Sequence, residues 1–212
     1  MKERAKRQRA TAFGRAEARR YTCRPKIWWA GYNAAMISGR AKEFRHKNIR
    51  LGRSNYIGRR WYFVTVCCHE RRPLFTSTAR AQWLLRHLKQ ASLQFSFAIH
   101  AYCMMPDHLH FLAEGNAESS DLTRFVGALK QKTGQLFQTR TGRPLWQKKY
   151  YDHILRRNAD VDAIAWYIWM NPVRKRLSAT PQKFPYSGSF TRTLEMLQPK
   201  DATWQPPWKK HM

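Results

Sequence analysis

The chain has 212 residues, of which 43% are hydrophobic, enough for one packed domain of ordinary size with an appendage. Its 40 Lys and Arg stand against 13 Asp and Glu, a formal net charge of +27 that repels itself unless a polyanion supplies the counter-charge, so nucleic acid is the expected partner. The four cysteines, Cys23, Cys67, Cys68 and Cys103, contain no Cys-x-x-Cys pair, which argues against a zinc ribbon, and no apolar run suits a signal peptide or a membrane span.

Residues 1–55 read as a basic, mostly flexible N-terminal arm that orders on DNA, with Arg4, Lys6, Arg7, Arg9, Arg15, Arg19 and Arg20 crowded at its start. A translation start downstream, at Met36, is the alternative. Residues 56–176 read as the packed domain. In it, Trp61, Phe63, Thr65 and Cys67 alternate with Tyr62, Val64 and Val66, a run of β-formers expected to be a buried strand. Ser77 or Thr78 caps a helix predicted over 78–94, where Trp83, Leu84, Leu88 and Leu93 recur at helical spacing. A strand over 95–104 follows. Pro106 and Asp107 turn the chain into a third strand over 108–113. Ser120 or Asp121 caps a second helix over 122–138, and Gly142 and Pro144 mark a loop. Residues 150–156 read as a fourth strand. Asp160 opens a third helix that ends near Asn171, because proline disfavours helical geometry at the residue before it. Residues 177–212, rich in proline and aromatics, read as an irregular tail packed on the domain. The order gives an α+β fold: a ferredoxin-like split βαβ antiparallel sheet with helices on one face and an added C-terminal helix bearing Tyr167.

Two short segments carry chemistry. On a strand, positions i and i+2 face the same way, so His108 and His110 present two imidazoles side by side while Leu109 faces the core. Such a pair either shares one metal or forms two hydrogen-bonded histidines. On the last helix Tyr167 and Asn171 lie one turn apart on one face. Taken alone they read as a core aromatic and a cap before Pro172. Taken with the histidines, they offer a phenol nucleophile and an amide oxygen as third metal ligand. Tyr150 and Tyr151 are competing nucleophiles, with no amide following at helical spacing. Asp152 and His153 read as groups supporting the site or as a solvated turn pair. Trp146, Gln147 and Arg156 are candidate DNA contacts.

The segments YFVTVCCHERRPLF, YCMMPDHLHFL, LWQKKYYDHILR and YIWMNPVRKRL occur in that order between Tyr62 and Leu177. Together they resemble the HUH single-tyrosine transposases of the insertion-sequence type, and more closely the REP-associated tyrosine transposases of bacteria. The resemblance implies that His108, His110 and Asn171 hold the metal and that Tyr167 is the nucleophile. It implies nicking and rejoining of single-stranded DNA at palindromic repeat hairpins through a 5′-phosphotyrosine, by a monomer or homodimer in the bacterial cytoplasm, associated with the nucleoid and not with a membrane. The long basic arm departs from the compact form of that family. Two imidazoles and an amide leave positions open on an octahedral ion, so Mg2+ or Mn2+ is the expected cofactor. No P-loop pattern is present, so no nucleotide is expected. The alternative is a non-catalytic DNA- or RNA-binding regulator on the same fold. A rolling-circle initiator or relaxase fits the short chain and the Asn-Pro after Tyr167 less well, and a ribosome-associated basic protein leaves both motifs unexplained.

Overall fold

The structure, a computed structural model, describes residues 51–192, 201 and 203–209. The chain divides into two units, Met1–Leu51 and Gly52–Met212. The basic arm read over 1–55 therefore falls almost wholly outside the described residues, as does part of the tail.

The second unit is built on a five-stranded antiparallel sheet: β1 (Trp61–Cys67), β2 (Phe97–Met105), β3 (His108–Gly115), β4 (Tyr151–Ile154) and β5 (Ser187–Gly188), in the order β4-β1-β3-β2-β5. The helices are α1 (Thr78–Gln94), α2 (Leu122–Thr141), α3 (Val161–Trp169) and the short α4 (Asn171–Arg174). The fold is α+β, and the first four strands with α1 and α2 follow the split βαβ plan.

Both faces of the sheet are covered, so β1 and β3 are buried almost without interruption. Tyr62, Val64, Val66, Leu109, Phe111 and Ala113 point to one face and pack under α1 and α2. α1 supplies Ala81, Leu84, Leu88 and Ala91, and α2 supplies Leu122, Phe125, Val126 and Leu129, each a stripe at helical spacing. Phe63, Ala101, Cys103, Met105 and Leu112 point to the other face and pack under α3. Full burial of each central residue contributes on the order of 1.5–3 kcal/mol, on the α3 face as on the other.

Local chemistry sets the boundaries. Ser77 occupies the N-cap position of α1 but makes no capping bond. Asp121 caps α2 by accepting from the Thr123 and Arg124 amides at 2.9 and 3.1 Å, and Asp160 caps α3 by accepting from Ala163 N at 2.9 Å. α2 runs three residues past the predicted end and stops where Gly142 turns left-handed, at φ +68°. β2 starts two residues later than predicted, because Phe95 still closes α1 and Ser96 stands at φ +57°. Pro172 does not end a helix as predicted. The chain breaks earlier, after Trp169, and Pro172 lies in the first turn of α4, where its missing N–H is not needed. The tail is not wholly irregular: Ser187–Gly188 adds an edge strand beside Tyr102 and Cys103. Among the described residues no helix is long and apolar enough to cross a membrane.

Candidate active site

The Pro106–Asp107 turn fixes the start of β3. Cys68 N donates to Asp107 O and Phe75 N to Pro106 O, both at 2.9 Å, tying the turn to the chain that follows β1. His108 and His110 then emerge on the α3 face of the sheet, both buried. Their Nε2 atoms lie 2.9 Å apart, with the rings at 84°. Their Nδ1 atoms are held from behind: His108 Nδ1 by Asp107 Oδ1 at 2.6 Å, and His110 Nδ1 by Thr65 Oγ1 at 2.8 Å. Thr65 reaches its partner because β1 pairs with β3 in the register Thr65↔His110.

Burial depresses the pKa of both imidazoles, opposed at His108 by Asp107 and deepened at His110 by the charges of His108, Lys209, Arg71 and Arg174. Both rings are therefore neutral near pH 7. If both Nδ1–H groups donate outward, two Nε2 lone pairs converge on one point and need a shared positive charge; if one ring carries its proton on Nε2, the two rings hydrogen-bond to each other. At a metal–nitrogen bond of about 2.1 Å, neighbouring octahedral positions are about 3.0 Å apart and tetrahedral ones about 3.4 Å. The observed separation fits the octahedral case. Among the described residues no cluster of three or more His, Cys, Asp or Glu is placed for a metal, so any third protein ligand would come from another residue type, such as an amide.

Asn171 is such a group. Its Nδ2 donates to Tyr167 O at 3.1 Å and Ile168 O at 3.0 Å, which identifies the nitrogen and leaves Oδ1 as the acceptor end of the amide. Tyr167 lies on the same face of the sheet as the imidazoles. Its ring packs 6.2 Å from Phe63, whose ring lies 5.6 Å from His110. The Arg174 guanidinium carbon stands 4.1 Å from the Tyr167 ring centre. Burial pushes the Tyr167 phenol up, while the charge and hydrogen bonding of Arg174 pull it down without cancelling the effect.

The other candidates separate by face. Tyr151 pairs with Thr65, lies 6.3 Å from Phe63 ring to ring, and shares the imidazole face; burial raises its phenol too. His153 pairs with Phe63 on that face and stacks on Trp208 at 3.9 Å. Asp152 pairs with Val64 on the opposite side. Trp146 is a core residue on that side too, its Nε1 donating to Thr133 Oγ1 at 2.9 Å. Tyr150 packs there as well, with Lys130 Nζ 5.6 Å above its ring. Gln147 engages through its backbone, donating to Cys67 O and accepting from Lys130. Arg156 is exposed beyond the end of β4.

Several site residues escaped the sequence reading. Thr65 and Asp107 orient the imidazoles. Arg71 donates to Cys67 Sγ at 3.0 Å and reaches Asp107 Oδ2 at 3.4 Å from a left-handed backbone, following Glu70 in the same conformation. Burial raises the Asp107 carboxyl, but His108 and Arg71 outweigh it and hold it below the usual range. Trp208 lies 5.9 Å from Phe63 ring to ring, and Lys209 Nζ stands over the rings of Phe63 and Tyr151, so the tail covers part of the site. Arg174 left no periodic signal either, since it lies beyond the break that follows Trp169.

The family model for IS200-like transposases matches residues 58–171. The REP-associated tyrosine transposase of Escherichia coli is 27% identical over 154 residues, covering 70% of this chain and 88% of the relative. A Haemophilus influenzae protein, provisionally given the same designation, is 24% identical over 160 residues, covering 70% of this chain and 90% of the relative. The solved structure of a REP-associated tyrosine transposase bound to a REP hairpin matches in fold with a TM-score of 0.56 at 22% identity, covering 81% of this chain and 92% of that one.

Proposed function

The chain belongs to the IS200-like transposase family, an enzyme family acting on DNA, and on that premise we propose a metal-dependent single-strand DNA nicking and rejoining enzyme that works at palindromic hairpins through a 5′-phosphotyrosine. The observation that carries this reading is the convergence of two neutral imidazole nitrogens, 2.9 Å apart, on the face of the sheet that also bears Tyr167.

His108, His110 and Asn171 Oδ1 would hold Mg2+ or Mn2+, which when bound would withdraw charge from the scissile phosphate. Asp107 and Thr65 keep the imidazole lone pairs aimed inward. Tyr167 Oη attacks phosphorus in line: the P–Oη bond forms, the bond to the 3′ oxygen breaks, the phenolic proton passes to water and the leaving oxygen takes up a proton. Because the phosphotyrosine conserves the bond, a second 3′-hydroxyl reverses the step and joins strands. The net charge of +27 supports binding along phosphates, and the relative solved with a REP hairpin supports a hairpin as substrate.

One observation favours the second reading, a binder without catalysis: Tyr167 is only 9% exposed and its phenol is protonated at neutral pH. A labelled hairpin oligonucleotide with a single-stranded flank separates the two. The enzyme forms a denaturation-resistant protein–DNA adduct with Mn2+ and none with EDTA. Retained binding with no adduct in any divalent metal establishes the binder.

A further inference from the structure

We propose that Arg174 is a catalytic residue whose Nη1 donates to a non-bridging oxygen of the scissile phosphate and stabilises the charge that builds there during attack. The inference rests on the transposase reading above.

Three features of Arg174 point the same way. Its Nη2 donates to the Tyr167 carbonyl at 2.5 Å, and its guanidinium carbon lies 4.1 Å from the Tyr167 ring centre, so the fork is fixed against the nucleophile's own residue. Its charge acts on His110 and on Cys103, the β2 residue paired with His110, as well as on Tyr167. The guanidinium, fixed against Tyr167, is thus near enough to the sheet-borne half of the site for its charge to be felt there. Finally, Nη1 is buried and has no hydrogen-bond partner. No carboxylate pairs with the group among the described residues.

A guanidinium stays charged in a protein, and a buried donor without an acceptor is destabilising by about 1–3 kcal/mol or more. A structural arginine at a helix end is normally satisfied by the last carbonyls or by water. Here one arm of the fork is satisfied by the Tyr167 carbonyl and the other, Nη1, is buried without a partner. An anion arriving at the site supplies both the missing acceptor and the counter-charge. A phosphodiester held near the imidazoles and attacked by Tyr167 is the anion this site is built around. Arg174 transfers no proton: it donates hydrogen bonds, which strengthen as negative charge moves onto the phosphate oxygens.

The test uses the full chain and the labelled hairpin oligonucleotide in Mn2+. Single-turnover adduct formation, DNA affinity and melting temperature are measured for wild type, Arg174→Ala, Arg174→Gln and Arg174→Lys. The expected result is a rate loss of about 10²–10³-fold in Arg174→Ala and Arg174→Gln, a smaller loss in Arg174→Lys, and DNA affinity changed far less than rate. Millimolar guanidinium, against matched sodium chloride, restores part of the rate to Arg174→Ala and none to Tyr167→Phe. Wild-type rates in folded Arg174→Gln, or losses explained wholly by weaker DNA binding or unfolding and not rescued by guanidinium, overturn the proposal while leaving the transposase reading intact. A wild-type protein that binds the hairpin without forming an adduct overturns both.

Discussion

Replacing Thr65 with valine removes one hydroxyl from the back of the proposed metal site and nearly preserves side-chain volume. Thr65 is 8% exposed, and its Oγ1 is the group holding His110 Nδ1, at 2.8 Å. Without it, a buried imidazole N–H loses its acceptor, a loss of about 1–3 kcal/mol in folding stability. The larger effect falls on the site. His110 is freed to rotate or to place its proton on Nε2, and either change takes a lone pair away from the convergence point. Loss of a partner behind a ligand weakens metal binding by about 10–100-fold. Manganese titration followed by electron paramagnetic resonance, with urea denaturation of the metal-free protein alongside, separates the two effects. A Thr65→Val protein that loses stability but binds Mn2+ as wild type does refutes the claim that Thr65 aims His110 at a metal.

Thr133→Val strips the acceptor from Trp146 Nε1 on the other face of the sheet, and is expected to destabilise by about 1–3 kcal/mol in urea denaturation while leaving adduct formation per folded molecule unchanged. Asp121→Ala removes the α2 cap with its bonds to Thr123 and Arg124, which lowers stability by about 0.5–2 kcal/mol in the same measurement. Stability also depends on pH. Burial lowers the pKa of His108 and His110, and of His100 and His153 as well, so below the unfolded value of about 6.5 the unfolded chain binds more protons than the folded one. Stability of the metal-free protein is therefore full above pH 6.5 and falls as pH drops below it. Urea midpoints measured between neutral pH and about pH 5 follow that decline, and replacing both His108 and His110 with asparagine makes it shallower; a flat profile contradicts the buried, neutral pair.

The sequence made the local parts of this molecule legible and concealed the relations between them. α1 was readable at both ends because its apolar residues keep helical spacing from Ala81 to Ala91. The β2–β3 hairpin was readable because Pro106–Asp107 leaves the chain little else to do. The pairing of His108 with His110 follows from strand periodicity alone. Thr65 was not readable as their support, because that role depends on the offset between β1 and β3, set by packing across residues far apart in the chain. Trp146 was a candidate DNA contact, and the sequence did not show that its ring is buried in the core. Its place under the sheet is decided by the bridge it forms with Cys68 and by Thr133, neither of which leaves a periodic trace. The two-residue β5 is too short to show any pattern. Tyr151 and Tyr167 both reach the imidazole face, so geometry alone leaves two phenols there, and the choice rests on Asn171 and Arg174 beside Tyr167.

That choice has a direct measurement. Wild type, Tyr167→Phe and Tyr151→Phe are incubated with a labelled hairpin oligonucleotide in Mn2+, and any adduct is digested and sequenced by mass spectrometry. The account predicts a phosphotyrosine on the peptide containing Tyr167, no adduct in Tyr167→Phe with DNA binding kept, and an adduct still formed by Tyr151→Phe. A phosphotyrosine on Tyr151, or an adduct that survives in Tyr167→Phe, contradicts it.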